Sequence, residues 1–535
     1  MFLFRSLPGV PLPVLSLLLP IAAAFLPLGF YIYRRIKCWH KYEECVCEIN
    51  LRFLKIFFLA VLIANIFLTW SVWTSMGKGG TELFVLSSGG WSNTLSPDSP
   101  MLIKAVLQVD VFGAMSAFLM GCVALIAGLA AMADKNEKIN ISKAGFFLTT
   151  LVGIQGIFYS GDLLSLFMFI LVSQIGASGL YHGIVTTKEE LKELIWYYLS
   201  RSTALLMFLV GVALFYYNYR TTNIAVLSTV IKLGTNEKLA YAFLVVPLFF
   251  MFVKSSSYVT DSSKRVFFAI RAQAALFVVF RIVFSLYGPL PGLEKIPNLF
   301  ILLGLILLVA SLALTANERD PVKFAEASEL FMKGFLVISM GISISGTYAA
   351  QAAAEYGFGA IESMVALWIL FLPVSATLSF VCCTLKQKTD HGELWQEQGL
   401  FRVIPITGVA FFFAVCVIAG LPPFVGFPSK QFLYRSSSYI TPLLTIFLLI
   451  AALLMLLMSI RYISRLMFGI LSGDPDNIRN HDVQVIVPLI ILFIFLVYST
   501  VTPALFINSM VSPSVYSLLN KGQLLNAIHQ GGVSE

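Results

Sequence analysis

The sequence predicts an all-α polytopic membrane protein with about fourteen transmembrane helices. Three observations carry that prediction. Of the 535 residues, 58% are hydrophobic and only 12% charged, whereas soluble domains are about 25% charged; mean hydropathy is +0.86. The apolar residues gather into runs long enough to cross about 30 Å of hydrocarbon. Inside one such run, Gly420-Leu-Pro-Pro-Phe-Val-Gly-Phe-Pro-Ser-Lys430 sets prolines, glycines and a lysine where an unbroken helix would otherwise pass.

In chain order the predicted spans lie near 11–33, 51–73, 106–132, 143–159, 161–184, 196–217, 239–258, 266–287, 296–316, 322–346, 362–385, 404–432, 438–469 and 483–510. The first follows a single Arg5 and lacks a small-residue cleavage site, so it reads as a span and not as a signal peptide. Asp110 opens the third span and Asp162 the fifth, each as a helix cap or a packing contact. Gly79-Gly80 and Gly89-Gly90, with Ser and Pro up to Pro100, predict an irregular loop after the second span. No hydrophilic stretch is large enough for a separate domain, and the tail from Val511 adds no further helix.

The net charge of +8 does not point to nucleic acid, because the basic residues sit in short connections between spans. There they set orientation: roughly 21 Lys and Arg follow odd-numbered spans and roughly 9 lie on the opposite face, placing both termini outside the cytoplasm. Four of the seven cysteines, Cys122, Cys382, Cys383 and Cys416, fall within spans as packing residues. Cys38, Cys45 and Cys47, with His40, form either a charged reduced loop or a metal or redox cluster, although the spacing is not a standard zinc pattern.

The break is a transport signal. Pro422 and Pro423 remove two amide donors, and Gly420 and Gly426 relax the backbone, so the helix opens where protein or water satisfies the freed carbonyls. An ammonium deep in a bilayer costs at least about 2.5 kcal/mol, which makes Lys430 a functional candidate; the plainer reading is a kink with a snorkelling lysine. Lys254, before Ser255-Ser256-Ser257 in the seventh span, stands in a comparable setting five spans earlier. Paired interruptions of this kind point to inverted-repeat transporters with mid-membrane ion sites. Burial lowers a lysine's proton affinity toward the range in which it relays protons. Arg281, the third deep basic residue, stays protonated, and is either a partner for a nearby carboxylate or part of the pathway. In the tenth span Glu326, Glu329 and Lys333 share one face, with Glu329 and Lys333 in the favourable i, i+4 order. They read as a polar patch or as a structural ion pair.

No catalytic constellation is visible: the five histidines fall in or beside loops, and neither a Gly-rich phosphate loop nor a cysteine frame for an iron–sulfur centre occurs. No cofactor is expected in this chain.

The segment Gly399-Leu-Phe-Arg-Val-Ile-Pro-Ile-Thr407 leading into Ala419 to Lys430 resembles the hallmark of the proton-conducting antiporter-like subunits of Mrp-type sodium/proton antiporters, respiratory complex I and membrane-bound hydrogenases. Leu151-Val-Gly-Ile-Gln-Gly-Ile-Phe-Tyr-Ser-Gly-Asp-Leu-Leu-Ser-Leu-Phe-Met-Phe169 is similar to the run into the family's fifth helix, most of all in the Mrp D-type subunit. Val109-Asp110, Tyr197 to Ala204 and Asp320 to Gly334 are weaker likenesses. The resemblance covers nearly the whole chain. It implies fourteen helices with two inverted five-helix repeats, broken at helices 7 and 12. Residues 1–142 would hold helices 1–3, 143–290 the first repeat, 291–470 the second, and 471–535 the last helix and tail.

The family's lysines on the broken seventh and twelfth helices fall on Lys254 and Lys430, and its eighth-helix lysine or histidine on Arg281. Its fifth-helix glutamate, the partner of the seventh-helix lysine, falls on Leu171; Gln174, one turn on, can hydrogen-bond but carries no charge. The eleventh-helix His and Lys cluster is replaced by the apolar Ala366 to Pro373, with Lys333 as a candidate substitute, and the motif after the seventh helix reads Ser255 to Lys264. The expectation is a membrane subunit of a multisubunit cation/proton antiporter, or of a complex I-like NADH–quinone oxidoreductase, in a bacterial-type inner membrane. It would carry protons or sodium through Lys254, Lys430, Arg281, Lys333 and Glu329, with other membrane subunits as partners. The alternative is a non-conducting paralogue that scaffolds such a complex, which the loss at Leu171 favours.

Overall fold

The computed structural model describes residues 11–38, 51–78, 83–88, 105–133, 141–182, 188–231, 234–253, 262–287, 294–318, 320–348, 354–388, 401, 404–468 and 483–519. Contacts gather the chain into two units. One comprises Met1–Phe252, Ile270–Tyr287 and Ser517–Glu535, the other Val253–Ala269 and Gly288–Tyr516.

The first unit contains α1 (Leu12–Cys38), α2 (Leu51–Lys78), the strands β1 (Leu83–Ser88) and β2 (Ala105–Asp110), then α3 (Val111–Ala133), α4 (Ile141–Tyr159), α5 (Leu163–His182), α6 (Lys188–Tyr219), the short α7 (Ile224–Val230) and most of α8 (Thr235–Val253). α9 (Ser262–Phe280) runs on as a π-helical turn, Arg281–Tyr287, and gives its part from Ile270 to this unit. α1 packs on α2 and α4, α2 on α3, and α4 on α5. The two acidic residues that open spans are caps. Asp110 Oδ1 accepts from the Gly113 amide at 2.8 Å, and Asp162 Oδ1 from the Ser165 amide at 2.7 Å, each three residues on, where orphan helix donors need an acceptor. Asp162 also accepts from the Val106 amide at 2.9 Å through Oδ2, tying the start of α5 to β2. Buried amides satisfy one another: Asn65 and Gln155 exchange hydrogen bonds of 3.2 and 2.5 Å, and Asn65 Nδ2 donates to the Ser16 carbonyl at 3.0 Å.

The second unit holds α10 (Ile296–Asn317), α11 (Pro321–Tyr348), α12 (Ala354–Lys388), α13 (Pro405–Ala419), α14 (Gly426–Ile440), α15 (Pro442–Met467), α16 (Val483–Val501) and the body of α17 (Pro503–Leu519). α11 packs between α10 and α12, and α12 also meets α13, α14 and α16. Burial separates inner from outer helices. The apolar span of α12 is wholly buried and that of α11 94% buried, against 22% for α15 and 28% for α10. Outer residues such as Leu302, Ile306, Leu449 and Leu453 are exposed, as suits helices whose solvent is hydrocarbon.

Ten helices among the described residues are long and apolar enough to cross a membrane, or up to eleven if a bent pair is one span. The protein is an integral, multi-pass membrane protein. Several sequence boundaries move. The third span, predicted from 106, starts as β2, which pairs antiparallel with β1 from Leu83↔Asp110 to Ser88↔Ala105, so part of the predicted irregular loop is a hairpin. A short apolar run ahead of a helix does not reveal its own conformation. The span 404–432, predicted with a break inside it, is two helices, α13 and α14, of which α14 runs on to Ile440, and the following span starts at Pro442. The last span, predicted to 510, ends at Val501 and turns by 99° into α17, so the start of the tail, predicted to add no further helix, is helical to Leu519. The loop holding His40, Cys45 and Cys47, and the side chain of Cys38, lie outside the described residues.

Candidate functional site

The second unit builds a polar site around the interruption between α13 and α14. α13 ends in a Schellman arrangement. Gly420, at φ 75°, donates to the Val417 carbonyl at 3.2 Å, and the Leu421 amide reaches the Cys416 carbonyl at 3.1 Å. A left-handed residue ends the helix, and Pro422 and Pro423 prevent its resumption. The Pro422–Pro423 peptide is cis. α14 restarts at Gly426, where a side chain is excluded: a Cβ there would stand 1.9 Å from the Val417 carbonyl oxygen.

One carbonyl of this last turn, that of Ile418, accepts from Lys430 Nζ. Lys430 is 1% exposed, and its ammonium lies 4.1 Å from the centroid of Phe335 and 4.9 Å from that of Phe331. A helix C-terminus and two aromatic faces thus hold the charge. Its contacts among the described residues are all uncharged.

Phe331 and Phe335 belong to α11, whose neighbouring positions carry Glu326, Glu329 and Lys333. Lys333, 1% exposed, donates to the Val253 carbonyl at 3.2 Å, with the Phe371 ring 5.8 Å away. The Glu329 carboxylate accepts from Ser375 Oγ at 2.8 Å and faces Arg265 Nη2 at 3.7 Å. Arg265 Nη1 stands 3.7 Å from Glu326 and donates to the Val322 carbonyl at 3.1 Å. One guanidinium therefore sits between two carboxylates, at distances longer than hydrogen bonds. Arg265 Nη2 and Glu326 Oε1 are buried without a hydrogen-bond partner. Sequence reasoning missed Arg265 because it lies at the edge of an apolar run, where a basic residue reads as an interfacial flank. The i, i+4 order of Glu329 and Lys333 gave no sign of it.

The other predicted residues fall elsewhere. Lys254 lies outside the described residues. Arg281 belongs to the first unit, where Nη2 meets Asp110 Oδ1 at 2.5 Å, with both side chains under 5% exposed. Of the two readings open for Arg281, the structure supplies the carboxylate partner. Gly113 lies beneath this pair, its missing Cβ 2.6 Å from the Phe158 carbonyl and 2.9 Å from Asp110 Oδ1. Gln174, near Leu171, accepts from Arg271.

No family model matches the chain. It is 27% identical over 389 residues to the D-type subunit of the Na(+)/H(+) antiporter of Alkalihalophilus pseudofirmus, covering 70% of this chain and 72% of that protein. It is 22% identical over 347 residues to the putative antiporter subunit mnhD2 of Staphylococcus aureus (strain MRSA252), covering 63% and 66%. A chain of the Mrp complex from Dietzia sp. DQ12-45-1b superimposes with a TM-score of 0.76 at 16% identity, over 96% of this chain and 99% of that one. The chain resembles antiporter-like membrane subunits. A chain of the membrane-bound sulfane sulfur reductase, an archaeal respiratory membrane complex, gives a TM-score of 0.79 at 18% identity over 96% and 99%. One of respiratory complex I from Thermus thermophilus gives 0.63 at 18% over 92% and 98%. At these identities the structural likeness speaks for the fold, and the likeness to the D-type antiporter subunits rests on sequence.

Proposed function

We propose that this chain is a membrane subunit of a multisubunit cation/proton antiporter, or of a complex I-like oxidoreductase, and that it moves protons or exchanges sodium for protons. Lys430 is the central residue, with Lys333 and Glu329 as further pathway residues; Lys254, outside the described residues, is the candidate that the resemblance implies. The observation that carries this reading is a fully buried lysine at a helix interruption whose described contacts are a carbonyl and two rings. An ammonium held without a fixed anion can give up its proton without leaving a stranded carboxylate, and the Ile418 carbonyl stays available for the proton's return. The Arg265–Glu326–Glu329 group sets two carboxyls against one guanidinium beside Lys333 on the same helix, a place where a proton can rest. Arg281, neutralised by Asp110, fixes structure and field in the first repeat and does not exchange protons.

On this reading the chain has the fourteen-span, two-repeat arrangement, with residues 143–290 and 291–470 as repeats. It lies in a bacterial-type inner membrane with both termini on the non-cytoplasmic side and other membrane subunits as partners. The test is dissipation of a pH gradient in inverted vesicles carrying the whole native complex, on adding sodium or an electron donor. Lys430→Met should abolish the flux while the complex still assembles. Unchanged flux would remove Lys430 from the mechanism and favour the scaffolding reading. That second reading draws on Leu171 and on Gln174, whose amide engages Arg271 where the resemblance puts a glutamate nearby.

A further inference from the structure

In the first unit, α5, α6 and α9 bring together a group of hydrogen-bond donors for which the transport reading has no use. Arg271 on α9 donates through Nη1 to the Tyr197 hydroxyl and through Nη2 to Gln174 Oε1. Tyr197 belongs to α6, and its ring lies 5.3 Å from the guanidinium of Arg201, a second arginine that is 6% exposed. Arg201 in turn donates through Nη1 to the Met251 carbonyl at 2.6 Å.

Two features of the group point to a missing occupant. Gln174 is 6% exposed, and its Nε2 is buried without a hydrogen-bond partner. The Nε of Arg271 is buried and likewise has no partner. These are two orphan donors on side chains already joined to each other through Arg271 Nη2 and Gln174 Oε1. Each buried donor left unpaired costs about 1–3 kcal/mol; Arg271 is part-buried as a residue, and its Nε is the atom closed off from water. The described partners of Arg271 are a phenol and an amide oxygen, both neutral. The Arg281–Asp110 contact in the same unit shows how this chain neutralises a buried arginine when it supplies the anion itself.

We infer that the Gln174–Arg271 corner, with Tyr197 and Arg201 beside it, binds a small monovalent anion such as chloride. An acceptor-only ion takes the Nε donor of Arg271 and the Nε2 donor of Gln174 and balances charge that the neutral Gln174 leaves uncompensated. This binding does not depend on whether the chain conducts.

The experiment is thermal unfolding of the purified whole complex at constant ionic strength, titrating chloride against gluconate, for wild type, Gln174→Glu and Arg271→Gln. A ligand bound only by the folded state raises the melting temperature with its concentration. Wild type should gain about 2 °C or more, saturating with chloride. Gln174→Glu gives Arg271 a carboxylate of its own, so this variant should fold, start from a melting temperature at least as high as wild type without chloride, and lose the chloride response. Arg271→Gln should also lose the response. A wild type indifferent to chloride would overturn the inference and assign the corner to water. An equal chloride shift in wild type and in Gln174→Glu would also overturn it, by placing the anion elsewhere in the complex.

Discussion

Lys430 and Arg281 are both buried cations on helices that depart from regular α geometry, yet the chain treats them in opposite ways. Arg281, at the first residue of a π-helical turn, is met by Asp110 at 2.5 Å. Lys430, just past a helix interruption, is met by the Ile418 carbonyl and two phenylalanine faces. The first arrangement locks a charge: removing either partner strands the other in a low-dielectric interior. The second holds a charge with dipoles and rings whose interaction weakens but does not turn repulsive when the proton leaves. Burial alone therefore does not mark a transport residue. What distinguishes Lys430 from Arg281 is burial without a fixed counter-ion among the described residues.

The largest effect should come from breaking the locked pair. Arg281→Met leaves Asp110 buried and unpaired, which costs about 3–5 kcal/mol and should strip the complex of assembled subunit, read as yield on a native gel. Adding Asp110→Asn should restore much of that yield, because Asn keeps an Oδ1 acceptor for the Gly113 amide while removing the charge. If the double variant assembles no better than Arg281→Met, the pair is not what the charge was needed for. Lys430→Met should behave in the opposite manner, with assembly kept and flux lost.

A smaller but sizeable effect is expected at Gly426. Alanine there puts a methyl carbon 1.9 Å from the Val417 oxygen, so α13 and α14 must part, with an overpacking cost of about 1–3 kcal/mol or more. The parting would draw Lys430 from the Ile418 carbonyl, so Gly426→Ala should lower both the melting temperature and the flux. Gly113→Ala is its counterpart under the locked pair, with 2.6 Å to the Phe158 carbonyl, and should lower the melting temperature while flux per assembled complex stays the same. Equal flux losses at the two glycines would dissolve the distinction between held and locked charge.

Much of this contrast was legible in the sequence, and the part that was not has a physical reason. Prolines and glycines act on the backbone locally, so Gly420 to Gly426 announced the interruption and Lys430 stood out beside it. The spans were legible wherever apolar runs were long, but hydropathy did not show that the helix after the break runs on to Ile440, because its last turns, from Arg435 to Ser438, are polar. Charge partners are tertiary facts. Asp110 and Arg281 lie 171 residues apart, and no periodicity links them; each was singled out, but the contact was not. Arg265 was overlooked because a basic residue at the end of a run looks interfacial, and its two carboxylates lie a whole helix away. The β1–β2 hairpin was missed because its apolar strand Ala105–Asp110 runs straight into α3.

The smallest predicted effect is also the sharpest probe of how Lys430 is held. Gly420 is left-handed, and a Cβ there would lie 2.8 Å from Lys430 Cδ but 3.4 Å from the Gly426 carbonyl. Alanine would accept a left-handed backbone at about 1–2 kcal/mol, a shift of a few degrees in melting temperature at most. The clash falls on a flexible methylene stem, so the stem should move before the backbone does. The ammonium would then shift over the faces of Phe331 and Phe335 and away from the Ile418 carbonyl while the fold stays intact. Gly420→Ala should therefore slow proton flux by more than its small stability loss accounts for, whereas a variant that loses stability but keeps wild-type flux per complex would show that the position of the Lys430 ammonium is not what sets the rate.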